Sequence, residues 1–178
     1  PIIGIVMEYC CMDLYDALSE ERNSMPRRKF QSLHPIRVAR DIASGLCYLH
    51  SKGVVHRDVK SLNVLLTKGD MRAKIADFGD AAMQAASESL GRRSYHTVHR
   101  HGTAAWMAPE AMLIEDTLTS AVDMYSFGVV VWECITSPRP GGRHRLPADD
   151  RWVSTAMAGQ DAERLAKKFV VEMRRRPP

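Results

Sequence analysis

The sequence predicts a mainly α-helical fold carrying small β-hairpins, and three stretches lead to it. Between residues 35 and 53, Ile36, Ala39, Ile42, Ala43, Leu46 and Leu49 recur at spacings of three and four, which lines one face of a helix ending near Gly53. Between residues 119 and 133 apolar side chains fall on nearly all faces, as expected of a helix buried at the centre of a helical body. Residues 64–66 and 73–76 are short apolar runs on either side of Lys68-Gly69-Asp70, the pattern of a hairpin. With 178 residues, 45% of them hydrophobic and 26% charged, the chain is long enough for one domain with a sizeable core.

The remaining elements follow in chain order. Residues 2–7 form an apolar, partly β-branched run suited to a buried strand, and polarity changes at Glu8-Tyr9-Cys10. Asp13 stands where it can cap a helix starting near Leu14. Residues 20–30 are charged and contain Pro26, so they read as a loop. From residue 80 to 101 periodicity is lost, while Ser87, Ser89, Ser94, Tyr95 and Thr97 accumulate beside His96, His99 and His101. No Cys, Asp or Glu completes a metal-ligating set among those histidines, so a mobile hydroxyl-rich loop is the favoured reading. Residues 138–150 are rich in Pro, Gly and Arg and read as a loop. Helical spacing returns at Ala162, Leu165, Ala166, Phe169, Val170 and Met173.

Chemistry concentrates between residues 55 and 66, where polar groups are bounded by apolar residues on both sides. Asp58 can accept a proton, Lys60 can hold an anion, and Asn63 offers an amide oxygen to a hard cation. Asp77-Phe78-Gly79 adds a second carboxylate followed by a glycine. A base, a cation and two oxygen ligands for a metal are what phosphoryl transfer needs.

The order His56-Arg57-Asp58-Val59-Lys60-Ser61-Leu62-Asn63, then Asp77-Phe78-Gly79, then Ala108-Pro109-Glu110, with Gly102-Thr103 and Trp106-Met107 before the last, resembles the eukaryotic protein kinases. The run from Asp123 to Glu133 is similar to a helix pattern of that family, and the whole resembles its tyrosine-kinase-like group of Ser/Thr kinases from about Ile2 to Ser137. The resemblance implies a truncated C-terminal lobe with the hinge at residues 1–137, lacking most of the N-terminal lobe and inactive as an isolated piece. It implies a divergent continuation at 138–178, without the arginine that usually pairs with Glu110.

The same resemblance implies transfer of the ATP γ-phosphate to protein serine and threonine, with ATP and Mg²⁺ as cofactors. Asp58 would orient and deprotonate the hydroxyl, Lys60 would neutralise the phosphate, and Asn63 and Asp77 would hold Mg²⁺. Thr103 would bond near Asp58 and Lys60. Met7 would be the gatekeeper, the backbone of Glu8 and Cys10 would meet the adenine edge, and Leu65 would floor the pocket. Asp13 would accept the ribose hydroxyls, a role that stands beside helix capping. Asp123 would receive the backbone N–H groups of the catalytic loop, or act as a helix N-terminal charge. Arg57 would gain a charged partner when an upstream kinase phosphorylates the segment from 80 to 101. Asp80 departs from the family pattern, which has an apolar or small residue after Asp77-Phe78-Gly79.

Composition narrows the alternatives. Cys10, Cys11, Cys47 and Cys134 form no C-x-x-C pair, which suits reduced thiols in a cytoplasmic protein. The net charge of +4 is dispersed and lacks aromatic interleaving, which disfavours nucleic acid as a partner. The longest apolar run, around residues 129–132, is far too short to span a bilayer. A pseudokinase that binds nucleotide or a partner without catalysis is the main competitor, although no metal ligand or base is lost from this stretch. A small-molecule phosphotransferase would share the base, Asn and Asp but not Ala108-Pro109-Glu110.

Overall fold

The computed structural model describes residues 4, 6–18, 34–83, 85–86, 93–96, 102–103, 105–112 and 117–136. In chain order the elements are strand β1 (Cys10–Asp13), helix α1 (Leu14–Leu18), helix α2 (Pro35–Ser51), strand β2 (Val54–Val55), a 3₁₀ turn (Ser61–Asn63), and strands β3 (Val64–Thr67), β4 (Ala73–Ile75), β5 (Ala82–Met83), β6 (Ala85–Ala86) and β7 (Arg93–His96). Helix α3 (Pro109–Met112), strand β8 (Thr117–Leu118) and helix α4 (Ala121–Thr136) complete the described chain. The expected loops at 20–30 and 138–150 and helix at 162–173 lie outside the described residues, as do Ser87, Ser89, Thr97, His99 and His101.

Local chemistry explains the main boundaries. Asp13 caps α1, its Oδ1 accepting the Asp16 N–H at 2.7 Å. Helix α2 opens on Pro35, whose missing N–H is no loss in a first turn. It closes where Gly53, at φ +72°, takes the left-handed conformation that favours glycine and donates its N–H to the His50 carbonyl at 3.0 Å. The hairpin of β3 and β4 turns through exposed Lys68-Gly69-Asp70, where the Thr67 hydroxyl donates to Asp70 at 2.6 Å.

Among the described residues three small antiparallel sheets result, ordered β1-β3-β4, β2-β5 and β6-β7-β8. Val38, Ile42 and Leu46 of α2 pack with Leu14, Val64, Leu66 and Val130 in the main core, each at most 2% exposed. Full burial of side chains of this size contributes about 1.5–3 kcal/mol apiece.

The fold departs from the expectation in five places, one being that β5, β6 and β7 lie within residues 80–101, the expected loop. It is mixed α/β with small sheets rather than mainly helical, because β2, β5, β6 and β8 are two residues long and show no readable alternation. The expected strand at 2–7 is absent at its described positions: Val6 is fully exposed, Met7 is 73% exposed, and pairing with β3 starts only at Cys10. An extended run needs a neighbouring strand to satisfy its backbone, and β3 reaches only the later residues. Helix α4 buries one side, through Val122, Asp123, Ser126, Val130, Glu133 and Cys134, while Met124 and Ile135 are exposed and Trp132 is half-buried. Among the described residues the deeply buried tryptophan is Trp106, at 5% exposure. No helix among the described residues is long and apolar enough to cross a membrane.

The buried stripe of α2 also contains a charge, Asp41. Its carboxylate accepts a forked pair from Arg72, Nε at 2.7 Å and an Nη at 2.9 Å, and the Ala73 N–H at 3.2 Å. These bonds fasten α2 to the start of β4 and, led by the Arg72 contact, hold the Asp41 carboxyl below the usual carboxylate range. A lowered folded-state pKa stabilises the fold above the ordinary value and is lost as pH falls through the lower one. Asp41→Asn is therefore expected to lower the urea midpoint at neutral pH, with the gap to wild type closing below about pH 4. Urea titrations of both proteins across that range check it; a gap that stays constant would contradict the assignment.

Candidate catalytic site

The site begins with two strained or buried residues that a single carboxylate holds. His56 is fully buried, and Arg57 adopts φ +68°, a conformation uncommon outside glycine. Asp123, buried at the start of α4, accepts the His56 N–H on Oδ2 at 2.9 Å and the Arg57 N–H on Oδ1 at 2.8 Å. His50, near the end of α2, donates from Nε2 to the same Oδ2 at 2.8 Å. The receiver role expected of Asp123 is therefore met by geometry.

The His56 ring closes the other side. Nε2 donates to the Ala76 carbonyl at 3.0 Å, which leaves Nδ1 to accept the Asp58 N–H at 3.4 Å. Phe78 leans on this ring at 5.1 Å between centroids. The Arg57 guanidinium turns to the backbone beyond Asp77, donating from Nε to the Asp80 carbonyl and from an Nη to the Ala81 carbonyl at 3.5 Å.

Held by this frame, Asp58 collects three side chains. Its Oδ2 accepts Lys60 Nζ at 2.5 Å and Asn63 Nδ2 at 2.9 Å, and its Oδ1 accepts the Thr103 hydroxyl at 2.9 Å. Lys60 Nζ also donates to Thr103 Oγ1 at 2.8 Å, so Lys60, Thr103 and Asp58 form a closed ring. A carboxylate offers about four lone-pair positions. Among the described residues Thr103 alone donates to Oδ1, which leaves that oxygen able to accept a further hydroxyl.

Thr103 reaches Asp58 because Gly102 precedes it. Gly102 sits at φ +101°, and a Cβ there would stand 2.5 Å from the Arg57 carbonyl oxygen. No side chain fits that approach.

Asn63 spends its amide N–H groups on the Asp58 carbonyl and carboxylate, both at 2.9 Å. Its Oδ1 accepts no hydrogen bond among the described residues although the residue is only 7% exposed. A buried amide oxygen without a donor suits a hard cation such as Mg²⁺. The Asn63 carbonyl accepts the Ala76 N–H at 2.9 Å, which brings the next residue, Asp77, alongside. Asp77 is exposed, at φ +63°, and its Oδ1 accepts the Gly79 N–H at 3.3 Å. It makes no hydrogen bond or ion pair to Asp58 or Lys60 among the described residues.

Of the residues expected around a nucleotide, Cys10, Asp13 and Leu65 lie on one sheet. Asp13 of β1 stands opposite Leu65 of β3, which stands opposite Lys74 of β4, so the three share a face. Glu8 joins them through an exposed ion pair with Lys74 at 3.2 Å. Cys10 stands opposite Thr67, and burial raises its thiol pKa.

Sequence reasoning missed the inward-turned polar residues: His50, Asp41 and Glu133. Glu133 is fully buried and accepts the Ser61 hydroxyl at 2.9 Å and the Trp106 indole N–H at 2.7 Å. An acid directly after the apolar run at 129–132 was the available signal.

The family model of the protein kinase domain matches residues 2–166. The chain belongs to the protein kinase family. This kinase domain is 39% identical to mitogen-activated protein kinase kinase kinase dlk-1 of Caenorhabditis elegans over 140 residues, 79% of this chain and 14% of that protein. It is 40% identical to serine/threonine/tyrosine-protein kinase HT1 of Arabidopsis thaliana over 136 residues, 74% of this chain and 32% of that protein. Human mitogen-activated protein kinase kinase kinase 13 is 39% identical over 141 residues, 79% of this chain and 13% of its own. The chain thus spans about a third or less of each relative's length. These relatives bear out the resemblance to the tyrosine-kinase-like group.

Two outcomes follow from the geometry of the site and its surroundings. Gly102→Ala is expected to cost about 1–3 kcal/mol in urea unfolding, because it forces a side chain into the left-handed region against the Arg57 carbonyl. An unchanged midpoint would mean that this approach is not as close as described. The Cys134 thiol is pushed up to about 12, by burial first and the neighbouring Glu133 charge second. Iodoacetamide at about pH 8 should label exposed Cys47 in the native protein and reach Cys134 only after unfolding.

Proposed function

We propose that residues 1–137 form the hinge and C-terminal lobe of a Ser/Thr protein kinase, with residues 138–178 a divergent continuation of that lobe. The observation that carries this reading is the closed set of Asp58, Lys60, Thr103 and Asn63, each within hydrogen-bond distance of another. Asp58 accepts the proton of the substrate hydroxyl at the lone pair that Oδ1 keeps open. Lys60, fixed between Asp58 and Thr103, presents its charge to the transferring phosphate.

Asn63 through Oδ1 and Asp77 through its exposed carboxylate would hold Mg²⁺, which would supply positive charge to neutralise the ATP phosphates. The backbone of Glu8 and Cys10 meets the adenine edge, Leu65 floors it, and Asp13 keeps its second carboxylate oxygen for the ribose while Oδ1 caps α1. The preference for serine and threonine rests on Lys60 and its contact with Thr103. Partners on this reading are ATP, a protein substrate and an upstream kinase acting on the segment from 80 to 101, in an intracellular setting.

The test uses the full-length protein. Asp58→Asn keeps size and most hydrogen bonding but removes the base, so turnover should fall by about 10²–10⁴ while Mg·ATP binding survives. Asp77→Asn removes a metal-ligand charge, so Mg²⁺-dependent ATP binding should weaken together with turnover. Titration with Mg·ATP and phosphopeptide formation on serine, threonine and tyrosine substrates read the two effects. Wild-type protein that binds Mg·ATP but transfers nothing would replace this reading with that of a pseudokinase. Turnover confined to tyrosine would overturn the specificity alone.

A further inference from the structure

Glu133 takes no part in the chemistry proposed above, yet it is a fully buried acid on the inner side of α4. Taking a carboxylate out of water costs several kcal/mol unless hydrogen bonds replace the lost hydration, and an apolar residue would fill the space without that cost. Here the replacement comes from two different segments of the site. Oε1 accepts the hydroxyl of Ser61, the residue between Lys60 and Leu62 in the catalytic loop. Oε2 accepts the indole N–H of Trp106, whose own backbone N–H bonds the Thr103 carbonyl at 2.9 Å. Ser126, two turns before Glu133 on α4, donates to the Trp106 carbonyl at 2.7 Å and holds the same residue from its backbone side.

One carboxylate therefore stands between the loop that carries Asp58, Lys60 and Asn63 and the segment that carries Thr103. We propose that Glu133 is a positioning residue: it fixes the spacing of these two segments through Ser61 and Trp106, so that Thr103 closes the ring with Asp58 and Lys60. Glu133 is fully buried and acts on the site through those two side chains. The kinetic consequence rests on the phosphoryl-transfer reading; the structural coupling does not. The competing account is that Ser61 and Trp106 make two independent buried bonds, each serving local packing.

The experiment compares Ser61→Ala, Trp106→Phe and the double variant in the full-length protein. Amide hydrogen exchange is followed at Asn63, whose N–H bonds the Lys60 carbonyl, and at Trp106, whose N–H bonds the Thr103 carbonyl. Coupling through Glu133 makes the effect cross over: Ser61→Ala speeds exchange at Trp106, and Trp106→Phe speeds exchange at Asn63. In turnover, each single variant lowers kcat several-fold and leaves KM for Mg·ATP unchanged, and the double variant is no slower than the worse single one. Exchange that quickens only in the substituted segment, with additive losses of kcat, overturns the inference while leaving the kinase reading intact. Crossed exchange in a protein that transfers no phosphate upholds the positioning role and overturns the kinase reading instead.

Discussion

The site depends on one buried interaction, the grip of the Asp123 carboxylate on the backbone N–H groups of His56 and Arg57. Arg57 sits in a conformation that a non-glycine residue adopts only when its surroundings over-determine it. Two adjacent donors taken by the two oxygens of one carboxylate supply that constraint, and His50 fixes the carboxylate in turn. Without this acceptor two amides next to the candidate base would be buried and unsatisfied, a larger penalty than the loss of an ordinary hydrogen bond.

From that point geometry propagates in two directions. Forward along the chain, the turn at Arg57 presents its carbonyl to Gly102, and only a residue without a Cβ comes close enough for Thr103 to meet Asp58. Across the hairpin, the His56 ring takes the Ala76 carbonyl while Asn63 takes the Ala76 N–H, so both faces of one peptide neighbourhood next to Asp77 are fixed. Helices α2 and α4 carry His50 and Asp123, and Asn63 and Ala76 directly flank β3 and β4, which is how side chains on irregular backbone keep a defined geometry.

The sequence made part of this legible. Helical spacing located α2, and a turn signal between apolar runs located the β3–β4 hairpin, because both are local patterns. The meeting of Thr103 with Asp58 and Lys60 came from motif order, which encodes a tertiary contact indirectly. What stayed hidden was polar burial. Asp41 lies in the apolar stripe of α2, but its partner Arg72 is a distant residue, and nothing local distinguishes an inward aspartate from a solvent-facing one. Glu133 carried one local signal, an acid directly after an apolar run, but its donors Ser61 and Trp106 come from elsewhere in the chain. The eye goes to Trp132, yet the indole that is buried and bonded belongs to Trp106. Strands β5, β6 and β8 gave no signal because two residues cannot display alternation.

The placement of Asp123, 67 residues after His56, also bears on how the domain is made. A ribosome delivers Asp58, Lys60, Asn63, Asp77 and Thr103 before it delivers the carboxylate that shapes the turn beneath them. Until the first turn of α4 has emerged, the amides of His56 and Arg57 lack their native acceptor, and the reactive side chains are present without the scaffold that aligns them. Vectorial synthesis thus places the keystone last, so that maturation of the site waits on α4 rather than on the residues that would perform the chemistry.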